Sequence, residues 1–422
     1  MRRKWLLLTL LILFVVVGWR IKTDRVWWQA VEKGERAELK ISVTERPTKS
    51  WQDYRVDYRG RRVICPETQE GCGVWATVQV GDKLWVEVEP KVTGKEYLVR
   101  RVEKFERIKP VVVNYWWWVR QTDKLRNQII TIYRLVLSEP YAGLLAGVVL
   151  GVQSSLSNDF YQALVRTGTM HIVAASGFNI TLVAGMALGV LVLVVPRRAA
   201  LAGAVAAIGG YVLLAGASPA VVRAGIMGGL TFMAQATGRA YTAGWSLIIT
   251  AVLMLIISPW LINSVSFQLS VAATAGIIWG QPKIQRMLMG RKAIGREGGQ
   301  WRKMVVADLA TTLAATLSTL PISMVTFGQV SLISPLVNGL VLWLIPPMMV
   351  LGGVIALMGL VWLNLAQIVA WLTWPLMYGF VIIVEGLGGI PWALVTLAGV
   401  SWWLGLGWWL ILAGWWANAR EA

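Results

Sequence analysis

Residues 170–195 read MHIVAASGFNITLVAGMALGVLVLVV, a run whose only ionisable side chain is His171. At 1.5 Å of rise per residue, an apolar run of this length crosses a hydrocarbon core about 30 Å thick. It opens, however, on three polar residues, His171, Ser176 and Asn179, and His171 is the single histidine of the chain. Polar groups are costly at membrane depth, so they point to a catalytic site, a pore lining or a packed helix contact.

Comparable segments recur near 199–217, 220–237, 243–258, 264–280, 304–328, 331–360, 365–388 and 393–416. With an N-terminal anchor they predict a membrane protein, a polytopic α-helical bundle of about ten transmembrane helices. The chain is 56% hydrophobic and 15% charged, with 42 glycines and 25 tryptophans, which excludes an ordinary soluble domain. Small residues suit helix packing in lipid, and tryptophans suit its interfaces. PYAGLLAGVVLG (140–151) is too short to span and predicts an interfacial or re-entrant piece. Pro346-Pro347 predicts a break of 331–360 into two.

The formal net charge is +18. Much of it flanks apolar runs, at Arg197-Arg198, at Arg239 and in KIQRMLMGRKAIGREGGQWRK (283–303). If 171–195 runs inward, all three clusters fall on the cytoplasmic side, as the positive-inside rule requires. MRRKWLLLTLLILFVVVGWR (1–20) lacks a small-x-small cleavage site and predicts an uncleaved anchor over 1–19, N-terminus inside. Residues 20–138 then lie outside the cytoplasm. They carry 24 basic and 16 acidic residues, a net of +8. Such a surface either attracts a polyanion or rests on anionic lipid.

Residues 20–112 alternate as strands do. In VWATVQV (74–80) and KLWVEVEP (83–90), apolar and polar positions take turns, with Gly81-Asp82 as the connecting turn. ELKISVTE (38–45), the run around Tyr54–Tyr58 and EYLVRRVEKF (96–105) add further strands. A small closed or nearly closed extracytoplasmic β-barrel of OB type suits this count. Cys65 and Cys72 bracket PETQEG, a loop short enough for a disulfide in an oxidising compartment; a metal site is the weaker alternative. Over 113–139 the period becomes helical. Trp118, Leu125, Ile129, Ile132 and Val136 share a stripe, with Arg120, Lys124, Arg126 and Arg134 off it. That predicts an amphipathic helix on the outer leaflet, followed by a transmembrane domain over 140–422.

Several chemistries are missing. No GxxxxGK[ST] stretch occurs, and one histidine cannot assemble a His-rich zinc site, so no cofactor, no metal and no enzymatic activity are expected. On one continuous helix His171 and Ser176 diverge by about 140°, which excludes a serine–histidine dyad. The intramembrane ionisable groups reduce to His171, Arg223, Asp308 and Glu385. Arg223 sits where it can snorkel outward, Asp308 follows the basic loop as a partner for Lys or Arg, and Glu385 is the expected mate of Arg223. Ser264, Ser266, Gln268 and Ser270 form one polar stripe; Thr311, Thr312, Thr316, Ser318 and Thr319 form another just before Pro321. The two stripes either bond back onto helix carbonyls and glue helices, or line a shared hydrated passage.

LSNDFYQALVRTGTMHIVAASGFNITLVAG (156–185) resembles the signature of ComEC-type competence proteins, matching it at Phe160, Gly168, His171, Ala174, Ser176 and Gly177. SPAVVRAGIMG (218–228), SFQLSVAATAGI (266–277) and TLAATLSTLPISMVTFGQVS (312–331) resemble the later blocks of that family in the same order. The resemblance covers roughly 140–390. It implies a channel subunit of the bacterial cytoplasmic membrane that passes single-stranded DNA inward during natural transformation. It also implies an extracytoplasmic DNA receptor and a cytoplasmic ATP-driven motor, the latter docking on 283–303. Many members carry a metallo-β-lactamase-like domain after the membrane region; none occurs in these 422 residues, so degradation of the complementary strand falls to a separate nuclease. A histidine common in the family stands as Asn179 here.

The expected substrate path comprises His171, Ser176, Gly177, Asn179, Arg223, Gln268, Asp308, Thr316, Pro321 and Glu385. His171 is expected at its outer mouth, and Ala174–Gly177 where another helix or a substrate strand comes close. Trp75, Trp85, Arg61 and Arg62 are the expected DNA contacts of the outer domain, through base stacking and phosphates. Two other classes stay open: a transporter of another anionic or lipid-linked substrate, and a structural membrane scaffold without a conduit.

Overall fold

Period-2 sequence becomes sheet and apolar runs become helices, with the interruptions placed by packing. The protein is seen in a computed structural model that describes residues 37–42, 48–50, 53–58, 61–66, 83–90, 96–106, 115–152, 156–289, 300–396 and 402–418. The chain divides into two units, residues 1–126 with 252–264, and residues 127–251 with 265–422.

The first unit holds six strands: β1 (Ala37–Ser42), β2 (Thr48–Ser50), β3 (Asp53–Tyr58), β4 (Arg61–Pro66), β5 (Lys83–Pro90) and β6 (Glu96–Glu106). They form one sheet in the order β1-β5-β6-β4-β3-β2. Every pairing is antiparallel except β4 with β6, which run parallel. Alternation along KLWVEVEP buries Leu84, Val86 and Val88, and Val63, Cys65 and Val99 are buried as well. The β2 and β4 strands were not foreseen from the sequence. The expected strand VWATVQV, its turn, Trp75 and Cys72 lie outside the described residues.

Helix α1 (Tyr115–Val136) carries the chain from the first unit into the second, the division falling within it at Arg126/Asn127. Its second half packs against protein. Ile129, Ile132, Tyr133 and Val136 are buried in the core of the second unit, whereas Leu125 is exposed. Ile132 seats on Gly359, the Tyr133 hydroxyl donates to the Gly352 carbonyl at 2.9 Å, and Gln367 Nε2 donates to the Val136 carbonyl at 3.1 Å. The predicted amphipathic stripe is thus read by protein from Ile129 onward.

The remaining helices follow in order. These are α2 (Tyr141–Leu150), α3 (Asn158–Thr167), α4 (Met170–Val173), α5 (Gly177–Leu191), α6 (Arg197–Leu214), α7 (Pro219–Thr237) and α8 (Ala243–Ile257), then α9 (Val265–Trp279), α10 (Gln281–Met289) and α11 (Gln300–Phe327). A short strand β7 (Gln329–Ser331) precedes α12 (Ser334–Val341), α13 (Ile345–Val361) and α14 (Leu363–Gly388). Strand β8 (Leu394–Thr396) and α15 (Trp402–Asn418) complete the chain order.

Among the described residues, five stretches are long and apolar enough to cross a membrane: Met170–Leu191, Arg197–Leu214, Lys303–Phe327, Ser334–Val361 and Leu363–Gly388. Shorter apolar helices cover Tyr141–Leu150, Ala243–Ile257, Val265–Trp279 and Trp402–Leu412. The protein is therefore a helical membrane protein. The predicted break of 331–360 is present, as a 3₁₀ turn over Leu342–Leu344 just ahead of Pro346-Pro347. The segment expected to begin a span at 393 instead supplies β8, which pairs antiparallel with β7.

At the heart of the second unit lies α2, too short to span, with every residue from Ala142 to Leu150 buried. It is enclosed by protein along its whole length. Leu145 and Val149 press on Gly352 of α13, where an added Cβ would sit 2.8 and 2.7 Å from them.

Candidate functional site

The 170–195 run is not one helix. It stops at Val173, passes through Ala174 and Ser176 in extended conformation, and restarts as α5 at Gly177. Alanine and serine tolerate either conformation locally, so the cause is tertiary. The extended residues fill the groove left by two glycines of the buried helix α2. Val173 occupies the space of a Cβ at Gly147, and Ala175 would stand 2.6 Å from a Cβ at Gly151. Gly151 also ends α2 with φ +69, a conformation that favours glycine.

The break exposes the first backbone N–H groups of α5, which have no acceptor one turn earlier. Ser176 does not cap them; its hydroxyl donates instead to Asn179 Oδ1 at 3.2 Å. Asn179, almost fully buried, passes the connection inward. Its Nδ2 donates to the Val148 carbonyl at 2.9 Å and to the Tyr211 hydroxyl at 3.3 Å. Tyr211 in turn donates to the Val149 carbonyl at 3.0 Å. Ser176, Asn179 and Tyr211 thereby tie α5 and α6 to two carbonyls near the C-terminal end of α2, where helix carbonyls run out of partners.

On the other side of the break stands Arg223 of α7. Gly177 and Ala224 let α5 and α7 approach, and a Cβ on Gly177 would lie 3.4 Å from both Ala224 Cβ and Arg223 Nη2. Arg223 does not snorkel: it is 8% exposed. Its Nη1 donates to the Ser270 carbonyl of α9 at 3.0 Å, while Nε is buried without a partner. That carbonyl also accepts from Thr274 Oγ1 at 2.9 Å. The expected pairing with Glu385 is absent, since Glu385 lies exposed on α14 and Arg223 meets no carboxylate among the described residues. The desolvation of the guanidinium is offset here by a helix carbonyl in place of a countercharge.

Of the predicted path residues, Ser176, Gly177, Asn179 and Arg223 come together. His171 stands just before the break on α4, exposed, with Nδ1 donating to the Gly168 carbonyl at 2.9 Å. It makes no hydrogen bond to Ser176; the two are separated by the break and engaged elsewhere, which replaces the helix-angle argument against a dyad. Gln268 is half-buried on α9, two residues before Ser270, whose carbonyl accepts from Arg223. Asp308 is exposed near the start of α11.

Thr316 and Pro321 lie further along α11, in a different kind of setting. Thr311, Ser318 and Thr319 donate to carbonyls four residues back on their own helix, at 2.8, 2.7 and 2.9 Å. Gly276 of α9 packs directly on Ser318 and Ala314, so the two helices meet there in close contact. Pro321 removes the N–H that would have bonded to the Leu317 carbonyl. Trp408 of α15 supplies the missing donor, with Nε1 at 2.9 Å from that carbonyl, and Trp409 Nε1 donates to the Ser318 carbonyl at 3.0 Å.

In the sheet, Trp85 stands in register between Lys40 of β1 and Lys104 of β6, and Arg61 and Arg62 face Tyr58 and Asp57 of β3. Tyr211 was missed from the sequence. Its signal was available: a hydroxyl in the middle of the apolar run RRAALAGAVAAIGGYVLL requires a partner.

Among known sequences, the family model described as "Competence protein" matches residues 148–420. The chain is 24% identical over 216 residues to ComE operon protein 3 of Bacillus subtilis (strain 168), covering 51% of this chain and 26% of that protein. It is 28% identical over 295 residues to competence protein ComA of Neisseria gonorrhoeae, covering 61% of this chain and 40% of that protein. The matches thus span less than half the length of either relative. No solved structure matches. The matched residues begin within α2, at the very carbonyl that receives Asn179, and run through every helix around the break, so the chain belongs to the competence protein family of the ComEC type.

Proposed function

We propose that this chain is a channel subunit that passes single-stranded DNA across the bacterial cytoplasmic membrane during natural transformation. The observation that carries this reading is the family match over 148–420, which covers the interrupted helix and the helices packed around it. A path beginning near His171 and passing Ser176, Gly177 and Arg223 would present polar groups to a strand at membrane depth. Disruption of the gene in a competent host, with radiolabelled DNA uptake as readout, tests it: uptake is expected to be lost, and normal uptake sinks the reading. His171→Ala should lower uptake while the protein still inserts, because its one hydrogen bond is local.

The β unit is read as an OB-like domain outside the cytoplasm. Its strand order supports this. β1 and β2 are the two ends of the sheet, separated by only five residues, so as halves of one bent strand they would close it into a barrel. A disulfide between Cys65, which is buried, and Cys72 would staple that barrel. Lys40, Trp85 and Lys104, side by side in register, would offer phosphate contacts next to an aromatic position. Binding of an oligonucleotide to the purified protein should weaken as salt rises. The proposed orientation puts the N-terminus and the 283–303 region in the cytoplasm, facing an ATP-driven motor, with a receptor outside and a nuclease as separate partners. The alternative, a transporter of another anionic or lipid-linked substrate, draws on one observation: Arg223 has no carboxylate partner among the described residues and would suit any anion.

A further inference from the structure

We infer that the start of α5 and the guanidinium of Arg223 form an internal phosphodiester-binding site, at which one backbone phosphate of the passing strand is held. The inference rests on the DNA-channel reading for the identity of the ligand. Its geometry stands on two independent observations. The first is the helix break: α5 begins inside the bundle at Gly177 with no side-chain cap, so its first N–H groups and the positive end of its dipole are left for an outside acceptor. The second is Arg223, more than nine-tenths buried, with Nη1 on a carbonyl, Nε without any partner and Nη2 beside Gly177.

Two positive features therefore address one spot, and neither is neutralised by a carboxylate among the described residues. A planar guanidinium with free donors matches the oxygen geometry of a phosphodiester better than it matches a lone carbonyl. Gly177 brings no side chain to this spot, where a Cβ would already touch Ala224 Cβ and Arg223 Nη2 at 3.4 Å. Asn179 and Tyr211 take no part in binding. They hold the start of α5 fixed against α2, so the N–H groups keep their direction.

The test follows amide hydrogen exchange of the full-length protein in phosphatidylcholine nanodiscs, with and without a 20-mer of thymidylate. Slower exchange at residues 177–180 with the phosphodiester oligomer, and none with its uncharged methylphosphonate analogue, is the expected result. Arg223→Gln should weaken that protection about tenfold in oligomer concentration, and Arg223→Lys should weaken it less. If Arg223→Gln cannot be purified folded, the wild-type comparison of charged and uncharged oligomers and the Lys variant decide. Total oligomer binding is read in parallel by fluorescence anisotropy. Binding without protection at 177–180 overturns this site and leaves the channel reading standing; no binding at all counts against the channel reading itself. Protection that appears only when phosphatidylglycerol is added, whatever the oligomer, identifies a lipid headgroup as the ligand and also overturns the inference.

Discussion

The helices around the 174–176 break and the α9–α11–α15 group are built from similar residues, yet they treat polar atoms in opposite ways. In α11, hydroxyls turn back onto their own helix, and the one carbonyl freed by Pro321 is met by Trp408. The hydroxyls of Thr311, Ser318 and Thr319 are thereby engaged within α11, and the group closes through Gly276 and Ser318. Around the break, Ser176 bonds to Asn179 at the start of α5, and the other bonds run between helices: Asn179 to α2 and Tyr211, Tyr211 to α2, Arg223 to α9. One guanidinium nitrogen is left over. Polarity that closes locally stabilises a helix pair; polarity that crosses between helices fixes an irregular backbone and keeps donors exposed to one another. By that criterion the interrupted helix, and not the richer threonine stripe, holds the polar network that ties several helices together.

Substitutions can break this contrast. The largest effect is expected for Asn179→Ala, which removes the hub. It takes the Asn179 donor from the buried Val148 carbonyl and leaves the Tyr211 hydroxyl with its bond to Val149 but without Asn179. A loss of about 2–3 kcal/mol in stability, read by thermal unfolding in detergent, is expected, together with a fall in DNA uptake. Tyr211→Phe keeps the ring and deletes one hydroxyl, so about 1 kcal/mol should be lost, with uptake reduced because α5 is less firmly held. In the other region, Trp408→Phe should cost about 1 kcal/mol, and the loss should shrink when Pro321→Ala is added, since the restored N–H then takes the Leu317 carbonyl. Thr319→Val should change stability by less than about 0.5 kcal/mol, because its hydroxyl serves a carbonyl already bonded within the helix. A Thr319→Val loss as large as that of Asn179→Ala would erase the distinction between the two regions.

Hydropathy made the membrane helices legible, down to the break ahead of Pro346-Pro347. Alternation located β1, β3, β5 and β6, but not the equally long β4, where Val63, Ile64 and Cys65 are buried in succession and no period of two is written. The three-residue strands β2, β7 and β8 are too short to show a period, and β8 is masked by an apolar run that reads as helix. The break at Ala174–Ser176 was invisible for a different reason. Its determinants, Gly147 and Gly151, lie more than twenty residues earlier in the chain and act only once α2 is in place. The sequence did flag Ala174–Gly177 as a point of close approach, and Ala175 on Gly151 and Gly177 beside Arg223 are that approach. For Arg223 the cost of burial was readable, but its partner was not. Charge counting offered Glu385, whereas the structure uses the backbone of Ser270, which carries no signature in sequence.

The enclosure of α2 has a consequence for biogenesis. A ten-residue apolar helix cannot hold a transmembrane position by itself, and the residues that cover it are made late. Gly352 of α13 meets Leu145 and Val149 from some two hundred residues downstream, and Tyr133 of α1 reaches the Gly352 carbonyl across 219 residues. During synthesis the N-terminal helices must therefore wait, partly assembled, until the C-terminal third emerges and closes over them. The interrupted helix rests on α2, so it acquires its final shape only at that last step. A ribosome stalled before α13 would leave a chain whose early helices are inserted but whose central site does not yet exist.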